Sequence, residues 1–553
     1  MTSGASIATR VWAGALDGEF DVVVVGSGAA GLTAALSAQA DGARVAVLEK
    51  SAHVGGTSAV SGGMLWIPLN RWMAQAGAPD DRAAALAYLA AVTADRTPAP
   101  TLEAVVDHGP ETLDFLEAAG GLHMAPMPGF PDYHPELEGG RAGGRSLEPE
   151  LYDGDALGPL LDAFRPLQEP PITFREYEAW RTTRAWPADL ADREPRHQLA
   201  RGQALVAPLL AALAAGGATL VTGLAIARLV VQDGMVTGVE SADGATIDAP
   251  AGVVLACGGF EWDDDLTRQF LPGPVQTRCS PPHNTGDGIR MAAKVGAGLR
   301  NMQEAWWQPQ IRIPGKEIDG EAIGHRLTFE RTGPGTLIVN RAGRRFVNEA
   351  HSYNDIAKVM HLFDPATQGL ANLPAFLVFD QRHLERYGFL GVAAGDPLPP
   401  WIVSGGTVAA LADRIGVDAG GLVATVERFS AHARDGVDPD FGRGASVYDR
   451  YWGDAVAPHP ALGPLDAAPF HAVEVFCGVS GTKGGVATTA EGRALDAFDV
   501  PIAGLYAVGN TSAHPMGRGY PGAGGTLGPA MVLGRLAGRH AAARCAPPLL
   551  SGG

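Results

Sequence analysis

The sequence is short of cysteine, of basic residues and of long apolar runs, and each shortage excludes a class of protein. Its 553 residues include four cysteines, which are widely scattered and show no metal-ligand spacing. A disulfide framework is therefore not expected. The cysteines are expected to be reduced, as in a cytoplasmic protein. The 42 basic residues against 60 acidic residues give a formal net charge of -18. This charge disfavours nucleic acid and anionic membrane surfaces as partners, and it argues against an anionic substrate unless a local cationic pocket exists.

The lack of a long apolar run bears on membrane association. Residues 1–19 lack the basic region followed by an apolar stretch that marks a signal peptide. No window of about 18 residues is continuously apolar, so no membrane-spanning helix is expected. An exposed apolar loop would still allow peripheral membrane contact.

The length of the chain is sufficient for two or more domains with a large core.

A glycine-rich turn near the N terminus predicts a dinucleotide-binding site. Residues 21–25 form a short apolar run, typical of a strand buried on both faces. Gly26, Gly28 and Gly31 follow, then a helical pattern, a second apolar strand and the acidic Glu49. In such a β-turn-α-β unit the first glycine allows a sharp turn, the second lets a pyrophosphate approach, and the third lets helix and strand pack closely. The helix N terminus offers free amides to phosphates, and Glu49 can accept hydrogen bonds from a ribose.

A second loop rich in glycine and hydroxyl groups, residues 55–63, indicates FAD rather than NAD. Such a loop suits a ligand that continues past the pyrophosphate, as the ribityl chain and flavin do. The C-terminal strand that ends at Gly509 could reach the ribityl chain, and the helix that starts near Gly528 could point its positive end at the flavin. The residues predicted to contact non-covalently bound FAD are Gly26, Gly28, Ala29, Ala30, Gly31, Glu49, Lys50, Gly56, Thr57, Ser58, Ser61, Gly62, Gly63, Ala225, Gly258, Asp287, Gly509, Asn510, Gly525, Thr526 and Leu527.

The strand patterns at the two ends of the chain predict one domain built from both. Hairpin signals and a buried strand at residues 225–256 extend the first part, and a further strand follows near the C terminus. The predicted fold class is α/β, with a Rossmann-type FAD-binding domain formed by residues 1–282 and 464–553. An α+β catalytic domain is predicted as an insertion at residues 283–463, and residues 120–200 are predicted to form a loop-rich excursion.

Residues 519–529 place a tyrosine in a segment rich in glycine, where little side chain covers the backbone. The hydroxyl of Tyr520 and the amide of Gly524 can together bind a carbonyl oxygen that gains negative charge. A hydrogen next to a ketone becomes acidic only when the developing enolate is stabilised, and these two groups suit that role. With the cofactor turn at the other end of the chain, they suggest one redox active site assembled from both ends.

These blocks together resemble the fumarate reductase/3-ketosteroid dehydrogenase group of flavoproteins, and within it the 3-ketosteroid Δ1-dehydrogenases most. The resemblance covers nearly the whole chain, and its discriminating motifs lie at residues 132–136, 481–485 and 510–529. Fumarate reductases carry a catalytic arginine shortly after an Asn-Glu pair, at the place where this chain has Tyr353. The chain also lacks the C-x-x-C-H sequence expected of haem-fused reductases.

The resemblance implies removal of hydrogen across C1–C2 of a 3-oxosteroid, with FAD as the acceptor. In that scheme Tyr353 takes the C2 proton, and a hydrogen bond from Tyr133 favours its phenolate. Tyr520 and Gly524 hold the C3 oxygen, and the hydride from C1 passes to the flavin. The implied partners are a small apolar steroid and an external electron acceptor, a quinone or similar.

Three other interpretations stay open. Close relatives of this group desaturate C4–C5 instead, and a fumarate-reductase-like FAD enzyme would saturate an activated double bond. A flavin-holding structural or sensor protein is the third, and the oxyanion-type pair argues against it.

Trp306 and Trp307 are expected to pack in the core, and no metal site is predicted. Structural or hydrogen-bonding roles are expected for His134, His351 and His514.

Overall fold

Two seven-stranded sheets position the functional residues in the computed structural model. The structure describes residues 19–166, 169–183 and 185–545, together with the backbone of Arg10–Val11. None of the helices within these ranges is both long and apolar enough to cross a membrane.

The first sheet is parallel except for one edge strand. In spatial order its strands are Arg10–Val11, Thr219–Thr222, Val45–Leu48, Val22–Val25, Gly252–Leu255, Pro501–Ala507 and Arg493–Leu495. The central strand is fully apolar and buried because helices and a small sheet cover both faces. The register joins Val22 to Val45 on one side and to Gly252 on the other.

One face of this sheet packs against helices from both ends of the chain, and their apolar side chains form the largest core cluster. These helices are Ala29–Ala40, Ala99–Ala118, Arg201–Ala215 and Leu527–Ala542. The opposite face packs against the antiparallel strands Ile226–Gln232, Met235–Ser241 and Thr246–Asp248 and against the helix Asp287–Lys294. A Rossmann-type domain built from both chain ends, as predicted, is therefore the observed fold.

The second sheet belongs to the inserted region. Its strands in spatial order are Glu321–Arg326, Ala305–Ile318, Phe470–Thr482, Ala375–Asp380 and Thr336–Asn340, and Thr277–Arg278 and Val403–Gly405 also pair with Phe470–Thr482. The predicted return to the nucleotide domain at residue 464 is therefore too early. Phe470–Thr482 is the strand on which this sheet is assembled, and the chain rejoins the first sheet only after Thr482.

The remaining elements surround the two sheets, and most of them are short. The helices are Gly56–Ala59, Arg71–Gln75, Arg82–Thr93, Phe174–Thr183, Leu190–Arg193, Asp264–Phe270, Phe329–Thr332, Tyr353–Met360, Gln381–Tyr387, Val408–Ile415, Ala419–Arg434 and Val447–Tyr451. The 3₁₀ segments are Gly154–Ala163, Gly509–Thr511 and Ala543–Cys545. The small strands are Leu65–Trp66, Met124–Pro126, Ser146–Pro149, Tyr152–Asp153, Gln198–Leu199, Leu299–Arg300, Phe363–Asp364, Gly369–Leu370 and Gly485–Val486.

Candidate active site

One cavity joins the glycine turn of the first sheet to a group of tyrosines near the second. Nineteen of the residues predicted to contact FAD line it: Gly26, Gly28, Ala29, Ala30, Gly31, Glu49, Lys50, Gly56, Thr57, Ser58, Ser61, Gly62, Gly63, Gly258, Asp287, Gly509, Asn510, Thr526 and Leu527. All four predicted catalytic residues line it as well: Tyr133, Tyr353, Tyr520 and Gly524.

The three glycines of the turn have different surroundings. A Cβ added to Gly26 would lie 2.3 Å from the carbonyl oxygen of Ala256. A Cβ added to Gly31 would lie 2.3 Å from the carbonyl oxygen of Gly26. At Gly28 the nearest atom to such a Cβ is the hydroxyl of Ser58, at 3.5 Å. Gly26 and Gly31 therefore permit close packing of the protein itself, while Gly28 keeps a surface of the cavity bare.

Glu49 is held in place by its neighbours at the end of its strand. One carboxylate oxygen accepts hydrogen bonds from the amide of Ser27 at 3.1 Å and from its hydroxyl at 2.6 Å. The other oxygen accepts the amide of Ser51 at 2.9 Å. A carboxylate oriented in this way at a cavity wall can accept further hydrogen bonds from a ribose diol.

The predicted contacts Lys50 and Asp287 also pair with each other. The ammonium group of Lys50 lies 2.8 Å from the carboxylate of Asp287 and donates to the hydroxyl of Thr285 at 2.7 Å. This pair joins the strand side of the cavity to the helix Asp287–Lys294. Both side chains remain at the cavity wall, so the pair closes one side of the cofactor region.

Ala225 and Gly525 are the two predicted cofactor contacts that do not line the cavity. The carbonyl of Ala225 accepts the amide of Ala242, so this residue serves the small antiparallel sheet. The amide of Gly525 donates to the carbonyl of Gly522, and it closes the turn before the last helix instead of facing a ligand. The residues on either side of each one do line the cavity: Leu224 and Ile226 beside Ala225, and Gly524 and Thr526 beside Gly525.

The shape and chemistry of this region fit a dinucleotide with a flavin. The helices Ala29–Ala40 and Leu527–Ala542 both begin at the cavity, and neither has a side-chain cap from its own N-cap residue. Their N-terminal amides can serve a pyrophosphate and the carbonyl edge of a flavin. A bare glycine surface, an oriented carboxylate and two helix N termini are the groups that FAD requires.

Three tyrosines from distant parts of the chain meet in the cavity. The hydroxyl groups of Tyr133 and Tyr353 lie 3.2 Å apart. The ring of Tyr520 lies 5.0 Å from the ring of Tyr133 and 5.4 Å from that of Tyr353, measured between centroids. Tyr353 begins the helix Tyr353–Met360, so its backbone is fixed by a regular element. The three phenols thus form one contiguous group.

The turn after Tyr520 leaves a backbone donor available. Gly524 has φ +92°, and an added Cβ would lie 2.4 Å from the backbone of Leu65, so only glycine fits. Among the described residues, no acceptor pairs with the amide of Gly524. The hydroxyl of Thr526 donates to the Tyr520 hydroxyl at 3.1 Å, which leaves the phenol's own proton for another acceptor.

The pKa of Tyr353 is raised, whereas the sequence predicts that a hydrogen bond from Tyr133 favours its phenolate. Burial raises the pKa of Tyr353 well above 10, and the neighbouring Tyr133 and Tyr520 raise it further. The predicted proximity of Tyr133 is therefore present, but its hydrogen bond alone does not lower the pKa of Tyr353. Burial likewise raises the pKa of Tyr520, which keeps that phenol protonated and able to donate.

The segment that carries Tyr133 is anchored by buried charges. The carboxylate of Asp132 lies 2.8 Å from Arg145 and accepts the indole N–H of Trp66 at 2.8 Å. Arg145 also pairs with Asp80 at 2.8 Å, and neither of these two side chains is exposed. Burial raises the pKa of Asp132 to about 6 despite the guanidinium beside it. The sequence predicts this segment as a loop, and the ion pairs explain how a loop positions a phenol.

Both tryptophans are buried in the core, as expected, but in different clusters. Successive residues of a strand face opposite sides of a sheet, so Trp307 packs in the core of the second sheet while Trp306 packs with the tyrosines and also lines the cavity. The indole N–H of Trp306 donates to Asn510 at 3.0 Å. The buried ammonium of Lys483 lies 4.2 Å from the centroid of the Trp306 ring and donates to the carbonyl of Gly519 at 2.6 Å. These contacts brace the backbone immediately before Tyr520.

His514 and His134 have hydrogen-bonding surroundings of the kind that the sequence suggests, while the ring of His351 lies 3.9 Å from the carboxylate of Asp355. Burial lowers the pKa of His514 to about 3, and its ring lies 3.0 Å from the carbonyl of Thr526. His134 lies 3.1 Å from Asp355, and its pKa is raised to about 9 because Asp355 and Glu136 outweigh the effect of burial. The potential ligand atoms of His134, Glu136 and His351 also lie within 4.8 Å of one another, a grouping that the sequence does not predict.

Arg326 is a cavity residue that the sequence does not predict. It ends the strand Glu321–Arg326 and lines the same cavity as the tyrosines. No glycine motif or short spacing marks it. Only the tertiary structure shows that this cation faces the ligand space.

Comparisons with known proteins agree with this geometry. Residues 21–527 match the FAD binding domain family. The chain is 48% identical over 537 residues to the 4-oxocyclohexanecarboxylate 2-dehydrogenase of Sinomonas cyclohexanicum, covering 95% of this chain and 93% of that protein. It is 39% identical over 561 residues to the 3-oxosteroid 1-dehydrogenase of Mycobacterium tuberculosis, covering 95% and 98% respectively.

A solved structure extends the similarity to three dimensions. The 3-ketosteroid Δ1-dehydrogenase of Sterolibacterium denitrificans, crystallised in complex with 1,4-androstadiene-3,17-dione, matches with a TM-score of 0.89 at 37% identity. The match covers 95% of this chain and 99% of that chain. Together these findings confirm the predicted FAD-binding fold and FAD as the cofactor.

Proposed function

The chain belongs to the FAD binding domain family and is a flavin-dependent oxidoreductase, and we propose that it desaturates a cyclic ketone next to its carbonyl group. One observation supports this most. The phenols of Tyr133, Tyr353 and Tyr520 form one group in the cofactor cavity, beside the free amide of Gly524. A site that only holds a flavin has no need of this arrangement.

Tyr353 is the residue that takes the proton from the carbon next to the carbonyl. Its hydroxyl lies 3.2 Å from that of Tyr133, which can donate to the phenolate once the phenolate forms. Because the pKa of Tyr353 is raised, its reactive form is scarce at neutral pH and increases as the pH rises. General base catalysis of this kind contributes about 10²- to 10⁴-fold in rate.

The carbonyl oxygen is held by two donors. Tyr520 stays protonated because its pKa is raised, and it accepts a hydrogen bond from Thr526, so its own O–H is able to donate to the carbonyl oxygen. The amide of Gly524 is the second donor. Both stabilise the negative charge that develops on the oxygen as the proton leaves, and each such donor is worth about 3–4 kcal/mol in the transition state.

The remaining hydrogen leaves as a hydride. FAD held beside the glycine turn and Glu49 would supply the acceptor for this hydride, so that the ring would lose one proton and one hydride and gain a carbon–carbon double bond. An external electron acceptor, a quinone or similar, then completes the cycle. Tyr133, Tyr520 and Trp306 form a contiguous aromatic wall of the cavity, a kind of surface that disfavours water beside the reacting carbon.

Two substrate classes fit this chemistry. A 3-oxosteroid dehydrogenated at C1–C2, the expectation from the sequence, is supported by the 39% identical steroid dehydrogenase. A small cyclohexanone that carries a carboxylate is supported by the 48% identical relative and by the presence of Arg326 in the cavity. Reduction of a fumarate-like acid is disfavoured, because Tyr353 stands where such reductases carry the catalytic arginine.

Anaerobic mixing of the oxidised holoenzyme with candidate substrates tests the reaction class. Androst-4-ene-3,17-dione and 4-oxocyclohexanecarboxylate are the two ketones, and fumarate is added separately to the dithionite-reduced enzyme. Loss of the visible flavin absorbance with at least one ketone, and no reoxidation by fumarate, is expected. Reoxidation by fumarate without bleaching by either ketone would reject the proposal.

A further inference from the structure

Arg326 places a positive charge beside the proposed reaction site. It pairs across the second sheet with Gln310 and lines the cavity together with Tyr353 and Tyr520. Burial alone would lower the pKa of this guanidinium, but neighbouring groups, the two phenols among them, raise it. The side chain is therefore a permanent cation that faces the space in which the substrate binds.

This cation lacks the partner that the other cavity cations have. Lys50 lies 2.8 Å from Asp287, and Arg165 lies 2.8 Å from Asp319. Arg326 forms no ion pair and no side-chain hydrogen bond with any part of the chain that the structure describes. A half-buried guanidinium without a partner is costly unless a ligand supplies the negative charge.

The acidic groups near Arg326 are already engaged or neutral. Glu169 acts on Arg326 electrostatically, but its carboxylate lies 2.6 Å from Arg201 and 3.7 Å from Lys316. Burial raises the pKa of the Cys279 thiol, so Cys279 provides no anion at neutral pH. The charge of Arg326 is consequently left for a ligand.

A second, smaller cavity shares Arg326 with the active-site cavity and is also rich in cations. Arg201 and Lys316 line it together with Arg326, against the single carboxylate of Glu169. His325 lies there too, and burial together with Lys316 lowers its pKa to about 4, so it is neutral at physiological pH. The local excess of positive charge attracts anions although the chain as a whole is acidic.

We propose that Arg326 binds a carboxylate of the substrate, so that the enzyme acts on a carboxylated cyclic ketone in preference to an uncharged steroid. The inference rests on the proposed ketone desaturation and names its substrate class. A carboxylate matches the planar guanidinium with two parallel hydrogen bonds. An apolar ring in the same place would leave the cation desolvated and unpaired. The overall charge of -18, which argues against an anionic substrate, is thus overridden locally.

Kinetics with the holoenzyme and a matched pair of ketones test this proposal. The pair is a cyclohexanone with a carboxylate on the carbon opposite the carbonyl, and its methyl ester. In the wild type the acid is expected to have the lower KM. Arg326→Gln is expected to raise KM for the acid about 10- to 100-fold and to change KM and kcat for the ester less than about twofold. Arg326→Lys, which keeps the charge, is expected to recover part of the loss.

Arg312→Gln is the control, because Arg312 is an exposed cation on the same sheet that does not line either cavity. It is expected to leave both substrates unaffected. Arg326 could instead act only by helping Tyr353 to ionise, and then Arg326→Gln would slow the acid and the ester equally. That result, or a wild-type preference for the ester, would overturn the proposal.

Calorimetric titration of the oxidised holoenzyme with cyclohexanecarboxylate separates this proposal from the proposed reaction. The acid has no ketone, so its binding does not depend on turnover. Binding that Arg326→Gln weakens at least tenfold supports carboxylate recognition even where no ketone is oxidised. Equal binding to the wild type and to Arg326→Gln overturns it even where ketone desaturation is confirmed.

Discussion

The hydroxyl of Tyr133 lies 3.2 Å from the hydroxyl of Tyr353, although 220 residues separate them in the sequence. The two rings meet edge to face, with centroids 5.5 Å apart. This contact joins the excursion of the nucleotide domain to the inserted region. It places a hydrogen-bond donor beside the proposed base, so the acid–base chemistry depends on how these two parts of the chain pack.

Replacement of Tyr133 by phenylalanine tests that contact. The substitution removes one hydrogen bond to the phenolate of Tyr353, and a bond of that kind contributes about 1 kcal/mol or more. We expect kcat to fall about 5- to 20-fold with the flavin spectrum retained. Tyr448→Phe is the matched control, because Tyr448 is buried against Tyr133 but does not line the cavity. An equal loss in both variants would show a packing effect instead.

Tyr520→Phe removes one of the two donors that we propose for the carbonyl oxygen. We expect kcat to fall about 10²- to 10³-fold, the usual effect of losing one oxyanion donor. The hydroxyl of Thr526 loses its acceptor in this variant, so Thr526→Val alone serves as the control, with a much smaller expected effect. Steady-state rates of the two variants check the prediction, and a loss in Tyr520→Phe no larger than in Thr526→Val would contradict it.

The dependence of the rate on pH follows from the raised pKa of Tyr353. Burial and the two neighbouring phenols favour the neutral form, so the phenolate fraction grows as the pH rises toward that pKa. We expect kcat/KM for an uncharged ketone to rise about tenfold per pH unit between about pH 6 and 9. A profile that is flat or falls over this range, measured with the holoenzyme, would exclude Tyr353 as a base that must first lose its proton.

The stability of the site depends on the buried charges around Arg145. Its side chain is fully buried and pairs with both Asp80 and Asp132. Arg145→Met removes the buried cation that Asp80 and Asp132 share, and we expect the free energy of unfolding to fall by about 3–5 kcal/mol. Arg71→Met breaks an exposed pair with Glu117 and should cost less than about 1 kcal/mol. Urea denaturation of both variants compares the two, and similar losses would contradict the assignment.

The nucleotide half of the fold follows from local sequence patterns. The apolar run at Val22–Val25, the glycine turn and Glu49 lie within one short unit, and each has a distinct local signature. Such elements are predictable because their neighbours in space are also their neighbours in sequence.

The inserted region is harder to divide, because its sheet is formed by distant strands. Phe470–Thr482 pairs with Ala305–Ile318 and with Ala375–Asp380, and no local pattern indicates either pairing. The predicted end of the inserted region, residue 463, therefore lies before the strand Phe470–Thr482 that completes its sheet. Strand pairing over such sequence separations is decided by tertiary packing and not by propensity.

Some residues of the candidate site can likewise be predicted from local sequence, whereas others depend on the tertiary structure. Tyr520 and Gly524 are four residues apart and both line the cavity, so the proposed oxygen-binding pair can be recognised from the sequence alone. The role of Arg326 depends on which carboxylates its neighbours engage, and this information exists only in the folded chain. The pKa of Tyr353 is likewise set by burial, so the sequence predicts the residue but not how strongly it holds its proton.

Anaerobic reduction of the bound flavin in Tyr353→Phe tests the central claim most directly. The variant removes the proposed base and leaves the cofactor region intact, so its flavin spectrum should match that of the wild type. Mixed with the ketone that bleaches the wild type, it is expected to reduce its flavin at least about 10²-fold more slowly. Reduction at the wild-type rate would contradict the claim that Tyr353 takes the proton.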